Sequence, residues 1–314
     1  MLKELFNILV FPGLLFLFIF GMAIEFVDRK LCARLQNRIG PPWYQPLADF
    51  IKLLGKEDVV PQESDVAVFK LGPVFALAAA ATAFLYIPLW NKQALFSFSG
   101  DIIVVFYLLT IPTLVFFLGG WYSRSVFSMI GAVRTLTQFF AYEVPLFMCI
   151  LSSSLLANTW SLSEMTVFYL AHPWCWLFTL PGFFIALIAL LGKLEKVPFD
   201  IPEAETEIVA GAFTEYGGRF LAFLRTVLNM EMVVGSSLLA AVFLPFGFVH
   251  NAALSFMIFI AKILFITALI AVAHSVVARL RLNQMVSLCW RVFAPLAFLQ
   301  VLISLVIKGF LVMR

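Results

Sequence analysis

The sequence predicts an all-α integral membrane protein: about eight transmembrane helices, with amphipathic cytoplasmic interfacial helices in the connections. Three observations carry that prediction. Hydrophobic residues make up 63% of the 314 residues and charged ones only 12%, where a soluble domain carries roughly a quarter charged. The mean hydropathy is +1.02. The apolar residues also gather into runs of about 20, the length at which a helix crosses the hydrocarbon core. The whole chain, 1–314, reads as one polytopic membrane domain.

Taken in order, the first run covers residues 6–27 of "MLKELFNILVFPGLLFLFIFGMAIEFVDRK". It is long for a signal peptide and has no small-x-small cleavage site, so it is the first span. The others are 67–90, 101–120, 139–157, 174–192, 231–249, 253–277 and 291–312. Pro12, Gly13 and Pro112 do not veto these helices, because neighbouring helices re-satisfy freed backbone groups. The connections after the odd-numbered spans hold most of the basic residues, among them Arg29, Lys30, Arg124, Lys193, Lys196, Arg219 and Arg291. The opposite side shows only Lys3, Lys92, Lys308 and Arg314. Positive charge concentrates inside. The expected topology is a multi-pass plasma-membrane protein with both termini outside and the long charged loops cytoplasmic.

Those loops are not plain linkers. In the loop 28–66, "QPLADFIKLLGKED" places Leu47, Phe50, Ile51, Leu53 and Leu54 on one stripe, which predicts an interfacial helix over 45–58. The stretch 125–140 has a similar pattern and predicts a second. In the acidic segment 193–230, Asp200 can N-cap a helix with Glu203 three residues on and Pro202 in the first turn. Glu203 and Glu207 would then stack one turn apart, with Glu205 pointing elsewhere.

A solvated loop is the ordinary explanation for such acids. Here they alternate with Ile201, Ala204, Ile208, Val209 and Phe213, so part of the segment must be buried. Ionisable residues also enter the spans. Glu143 lies near the start of the fourth, Glu231 opens the sixth and Lys262 lies well inside the seventh. Charge inside a bilayer is costly and marks ion or proton paths. The candidate path and coupling residues are therefore Glu143, Asp200, Glu203, Glu205, Glu207, Glu215, Glu231 and Lys262. Their candidate charge partners at the cytoplasmic mouth are Arg34, Arg38, Arg134, Arg279 and Arg281.

Other chemistries find no support. Cys32, Cys149, Cys175 and Cys289 are far apart, as are His172, His250 and His274, so no metal-ligand spacing appears. There is no catalytic constellation, no Gly-rich phosphate loop and no nucleic-acid motif. No repeat of broken helices in two halves suggests a stand-alone transporter, and a pure anchor has no need of Glu143 or the acidic segment.

Four blocks together form a recognisable pattern: "DRKLCARLQNRIGPP…QPLADFIKLLGKE", "GGWYSRSVFSMIGAVRTLTQFFAYEV", "PFDIPEAETEIVAGAFTEY" and "RLRLNQMVSLCWRVFAPL". They resemble subunit 1 of respiratory complex I, the NADH dehydrogenase, and its relatives in energy-converting membrane-bound hydrogenases. The resemblance implies that the acidic segment meets the peripheral redox arm and starts a charged path into the membrane, with Glu143 an intramembrane member. It implies no cofactor of this chain's own. "GPPWYQP" is shorter than the complex I version, in a region tied by resemblance to the quinone entry, which argues against a bound quinone. "IPEAE" and "KLEKV" also depart from complex I. These features look most like the membrane anchor subunit of a ferredoxin-driven nickel–iron hydrogenase complex that moves H⁺ or Na⁺. The implied partners are a hydrogenase-type large subunit with a nickel–iron centre, an iron–sulfur small subunit, antiporter-like membrane subunits and the lipid bilayer, with no nucleic acid. The alternatives are the quinone-chamber subunit of complex I and a subunit of a related sulfur-reducing complex.

Overall fold

Pro12 has no amide hydrogen to continue a helix, and it divides the first apolar run into α1 (Leu2–Leu9) and α2 (Leu14–Leu35). A side chain at Gly13 would strike the carbonyl of Ile8, so only glycine fits this corner. The computed structural model describes residues 2–249 and 251–312, without the side chains of Leu2, Glu205, Thr206, Leu311 and Val312. His250 and Arg314 thus lie outside the described residues. Eight of the described helices or helix runs are long and apolar enough to cross a membrane.

The amphipathic stretch after α2 forms α3 (Gln45–Leu54), with Pro46 in its first turn and Leu47, Ile51 and Leu54 exposed, as an interfacial helix requires. Asp65 then caps α4 (Val66–Leu85): its Oδ1 accepts from the amides of Ala67 at 3.0 Å and Val68 at 3.3 Å. Next come α5 (Asp101–Tyr122), α6 (Val126–Ala157), the short α7 (Leu162–Ala171) and α8 (Leu180–Lys193), which is entered through a 3₁₀ turn. Beyond α8 lie α9 (Glu205–Ile208), α10 (Gly218–Phe243), α11 (Ala252–Val276) and α12 (Leu282–Leu288). A π turn, Cys289–Phe293, carries α12 into α13 (Ala294–Val312).

Helix α10 is the axis of the bundle. In its most apolar stretch 89% of residues are buried, against 22% for the run ending in α13. Helices α2, α4, α8 and α11 pack on it, while α6 packs on α5, α8 and α13. This centrality places Glu231 on α10 far from water.

Three expectations need correction. The stretch 125–140 is no interfacial helix; it is the first half of the 32-residue α6. That helix is about 48 Å long, well beyond the hydrocarbon thickness. The sixth span starts at Gly218, not at 231, so Glu231 sits midway along α10 instead of opening it. The acidic segment is not one helix capped by Asp200. A turn occupies 201–203, and only the four residues of α9 are helical before Val209 takes a left-handed φ of 62°.

Candidate functional site

The segment between α8 and α10 folds back into the bundle. Phe199, Ile201, Ala204, Ile208 and Phe213 are buried, while Val209, grouped with them in the sequence, is exposed. Gln138 on α6 pins it from below, donating Nε2 to the carbonyls of Gly192 at 2.7 Å and Phe199 at 2.8 Å. Ser128 Oγ donates to the Ala212 carbonyl at 3.1 Å, and the amide of Leu280 to the Pro198 carbonyl at 3.0 Å.

With the backbone so held, three of the acids each meet a base from a different element. Asp200 pairs with Arg279, from the connection before α12. Glu203 pairs with Arg225 on α10 at 2.9 Å. Glu207 pairs with Arg134 on α6 at 2.6 Å. Those contacts hold the Glu207 carboxyl below its ordinary range, through the hydrogen bond and the charge of Arg134. Arg281 lines the same pocket of about 340 Å³ as Arg134, Glu207 and Arg279.

Arg34 and Arg38 do not close on the acidic segment. Both are exposed, and neither makes an ion pair among the described residues. Earlier on α2, Arg29 pairs with Glu25 and, at 3.1 Å, with Asp49 on α3. Glu215 is half-buried, also without an ion pair among the described residues. The side chain of Glu205 lies outside them.

Behind the surface pairs, a cavity of about 290 Å³ is lined by Glu25, Asp28, Glu195, Lys196, Glu203 and His274, among others. Lys196 Nζ donates to Asp28 Oδ2 at 2.5 Å and lies 3.0 Å from the Met232 sulfur. Glu25 accepts a hydrogen bond from Asn229 Nδ2. Burial raises the Glu195 carboxyl well above its ordinary value, and the nearby carboxylates of Glu203 and Glu231 push it further.

Deeper still, Glu231 is wholly buried, with Lys193 Nζ 3.4 Å from its Oε1. Lys193 also donates to the Leu109 carbonyl. Glu143 lies within electrostatic reach of both Lys193 and Glu231, and its buried Oε2 has no hydrogen-bond partner. The result is a line of coupled charges. It runs from Asp200 and Glu203 at the surface through Glu195 to Glu231, Lys193 and Glu143. Such a line can pass protonation changes inward, since neutralising one carboxylate changes the cost of charging the next.

Lys262 stands apart. It donates to the Leu244 carbonyl at 2.7 Å, just past the end of α10, with the rings of Phe246 and Phe248 at 4.9 and 5.3 Å. It joins none of these carboxylates. Conversely, sequence reasoning left Lys193, Glu195 and Lys196 among the loop charges. The only signal for them is three charges within four residues directly after the apolar run ending at Gly192.

Over residues 7–305 the chain matches the family model described as NADH dehydrogenase. It is 33% identical over 311 residues to an NADH-quinone oxidoreductase subunit of Dehalococcoides mccartyi strain 195, covering 95% of this chain and 86% of that protein. To NADH-quinone oxidoreductase subunit 8 of Thermus thermophilus it is 32% identical over 310 residues, covering 95% and 84%. Among solved structures, a chain of an archaeal respiratory complex, the membrane-bound sulfane sulfur reductase, has the same fold. The TM-score is 0.81 at 24% identity, over 93% of this chain and 96% of that one.

Proposed function

The chain belongs to the NADH dehydrogenase family, and from that membership we propose that it is the membrane subunit which couples electron transfer in a respiratory complex to ion translocation. The observation that carries this reading is the line of charges from the Asp200–Arg279 pair to Glu143. It starts on a surface of exposed ion pairs and ends inside a bundle built for a bilayer. An isolated anchor has no use for it.

The chemistry follows from the pairs. Asp200, Glu203 and Glu207 are each neutralised by a separate arginine. A redox event in an arm docked over the 193–230 segment would alter the local field and loosen one of them. The released charge of Glu203 acts on Glu195, which burial already holds close to its neutral form. Proton uptake at Glu195 then changes the field at Glu231 and Glu143. The moved ion is H⁺ or Na⁺, since carboxylates serve both. The basic loops face the cytoplasm and the termini lie outside, in keeping with the distribution of Lys and Arg.

This chain holds no redox cofactor in the proposal. A hydrogenase-type large subunit with a nickel–iron centre and an iron–sulfur small subunit form the arm, reduced ferredoxin drives them, and antiporter-like subunits continue the path in the membrane. Only positions 36–44 separate α2 from α3, which supports the hydrogenase branch over a chamber for quinone. A second reading, the quinone-chamber subunit, draws its support from the NADH-quinone oxidoreductase relatives. The test is the intact complex in vesicles, given reduced ferredoxin while hydrogen evolution, quinone reduction and ion uptake are followed together. Hydrogen with ion uptake supports the first reading. Quinone reduction alone replaces it with the second, and reduction of a sulfur compound alone assigns the sulfur-reducing branch. Electron transfer without any ion uptake removes the coupling role.

A further inference from the structure

Beside the charged cavity three different metal-ligating side chains converge, from two helices. Asp28 and Cys32 stand one turn apart on α2, and His274 faces them from α11. Cys32 Sγ lies 3.7 Å from His274 Nδ1 and 3.9 Å from Asp28 Oδ1, and the three ligand atoms all lie within 4.8 Å of one another. A tetrahedral ion with metal–sulfur bonds of about 2.3 Å and metal–nitrogen or metal–oxygen bonds near 2.1 Å sets its ligand atoms about 3.3–3.6 Å apart. The two sulfur distances are thus a few tenths of an ångström from ligating geometry.

The surroundings are arranged to hold these donors. Asp28 turns Oδ1 to the thiol while Oδ2 takes the Lys196 ammonium at 2.5 Å, so the carboxylate is oriented from behind without using the ligating oxygen. The thiol's other contact is a weak one, to the Ala271 carbonyl at 3.7 Å. Asp28 and His274 both line the cavity of about 290 Å³, which supplies an entry path and room for a water as fourth ligand. A thiolate and a carboxylate cancel the two charges of a divalent ion, and the imidazole adds a neutral donor.

We propose that Asp28, Cys32 and His274 form a binding site for a borderline-soft divalent metal ion of the zinc class. Binding displaces the thiol proton into the cavity, so one proton leaves as the metal–sulfur bond forms. No redox step is involved. The site tethers α2 to α11 beside Lys196, on the route between the surface pairs and the membrane interior, and this placement does not depend on which acceptor the complex uses.

Co²⁺ is the probe, because a cobalt–thiolate bond adds a charge-transfer absorption that carboxylate and imidazole ligands do not. The purified, detergent-solubilised complex is titrated with Co²⁺ alone, then with Zn²⁺ to displace it. The expected result is one thiolate band, saturating at one Co²⁺ per chain and bleached by Zn²⁺. Cys32→Ser should abolish the band, and His274→Ala should weaken Co²⁺ binding by about tenfold or more. Cys149→Ser, whose thiol is buried elsewhere, should leave both unchanged. Since Cys32→Ser could disturb assembly, the wild-type titration stands as a test by itself. Absence of a thiolate band in the wild type overturns the proposal. So does a band that survives in Cys32→Ser.

Discussion

Lys193 Nζ lies 3.4 Å from Oε1 of Glu231, with only 2% and 0% of the two side chains exposed. Neither oxygen of Glu231 has a hydrogen-bond partner, so the nearby ammonium is the principal compensation for a carboxylate in the centre of the bundle. Removing one partner strands the other charge, at a cost of about 3–5 kcal/mol, while removing both costs far less. Lys193→Met should therefore lower unfolding stability sharply, and the Lys193→Met/Glu231→Gln double variant should recover most of that loss. A double-mutant cycle on the chain in detergent measures this. Additive losses would mean that the two groups do not compensate each other.

At Gly131 on α6 the acidic connection packs directly against a helix backbone. A methyl group there would lie 2.5 Å from the carbonyl carbon of Gly211 and 2.6 Å from its Cα. Backbone cannot rotate away as a side chain does. Gly131→Ala should cost about 1–3 kcal/mol or more and displace the segment that carries Glu203 and Glu207. The expected outcome is a lower melting temperature together with weakened ion uptake per electron. An unchanged melting temperature would show that the connection gives way freely.

The spans are legible in the sequence because composition and run length alone decide them. The starts of α6 and α10 are not. The stretch 126–138 reads as an interfacial helix, and Arg219 and Arg225 make 218–230 look like loop, yet Arg134 and Arg225 pair with Glu207 and Glu203, and Arg219 pairs with Asp58 at 2.5 Å. The same folding-back sends Glu203 and Glu207 to different helices, which no helical spacing could show. The acidic surface of the site was readable as an excess of carboxylates among apolar residues. Of its interior, Glu143 and Glu231 were readable as charges within apolar runs, but Glu195 and Lys193 were not, since they become buried only through tertiary packing. Cys32 and His274 are 242 residues apart, and no ligand spacing announces their meeting.

Glu195 sets a pH dependence. Burial first, and the Glu203 and Glu231 carboxylates second, raise its folded-state value above the unfolded one. The folded state therefore favours the protonated form. Its contribution to stability is full below the unfolded carboxyl value and is lost as pH rises through the folded value. Glu195→Gln keeps the neutral shape at every pH and should flatten that loss. Melting curves of wild type and variant should run together at acidic pH and separate as pH rises, with the variant the more stable. Parallel curves across the whole range would place Glu195 outside the titrating set.

Glu143 offers the sharpest separation of coupling from structure. Its Oε2 is buried without a hydrogen-bond partner, and it is in electrostatic reach of Lys193. Glu143→Gln keeps the shape and removes the proton-carrying group. Lys193 still has Glu231 at 3.4 Å, so no buried charge is stranded, and the stability change should stay near 1 kcal/mol or below. A line of coupled acids fails when one member cannot change charge. In an assembled complex the variant should therefore still transfer electrons in the redox arm while ion uptake falls by about tenfold or more. Glu143→Asp, which retains a titratable group, should restore part of it. The measurement is ion uptake per electron in vesicles, with subunit composition checked alongside. Normal uptake in a fully assembled Glu143→Gln complex would take this residue off the path and favour a purely anchoring role for the helix that carries it.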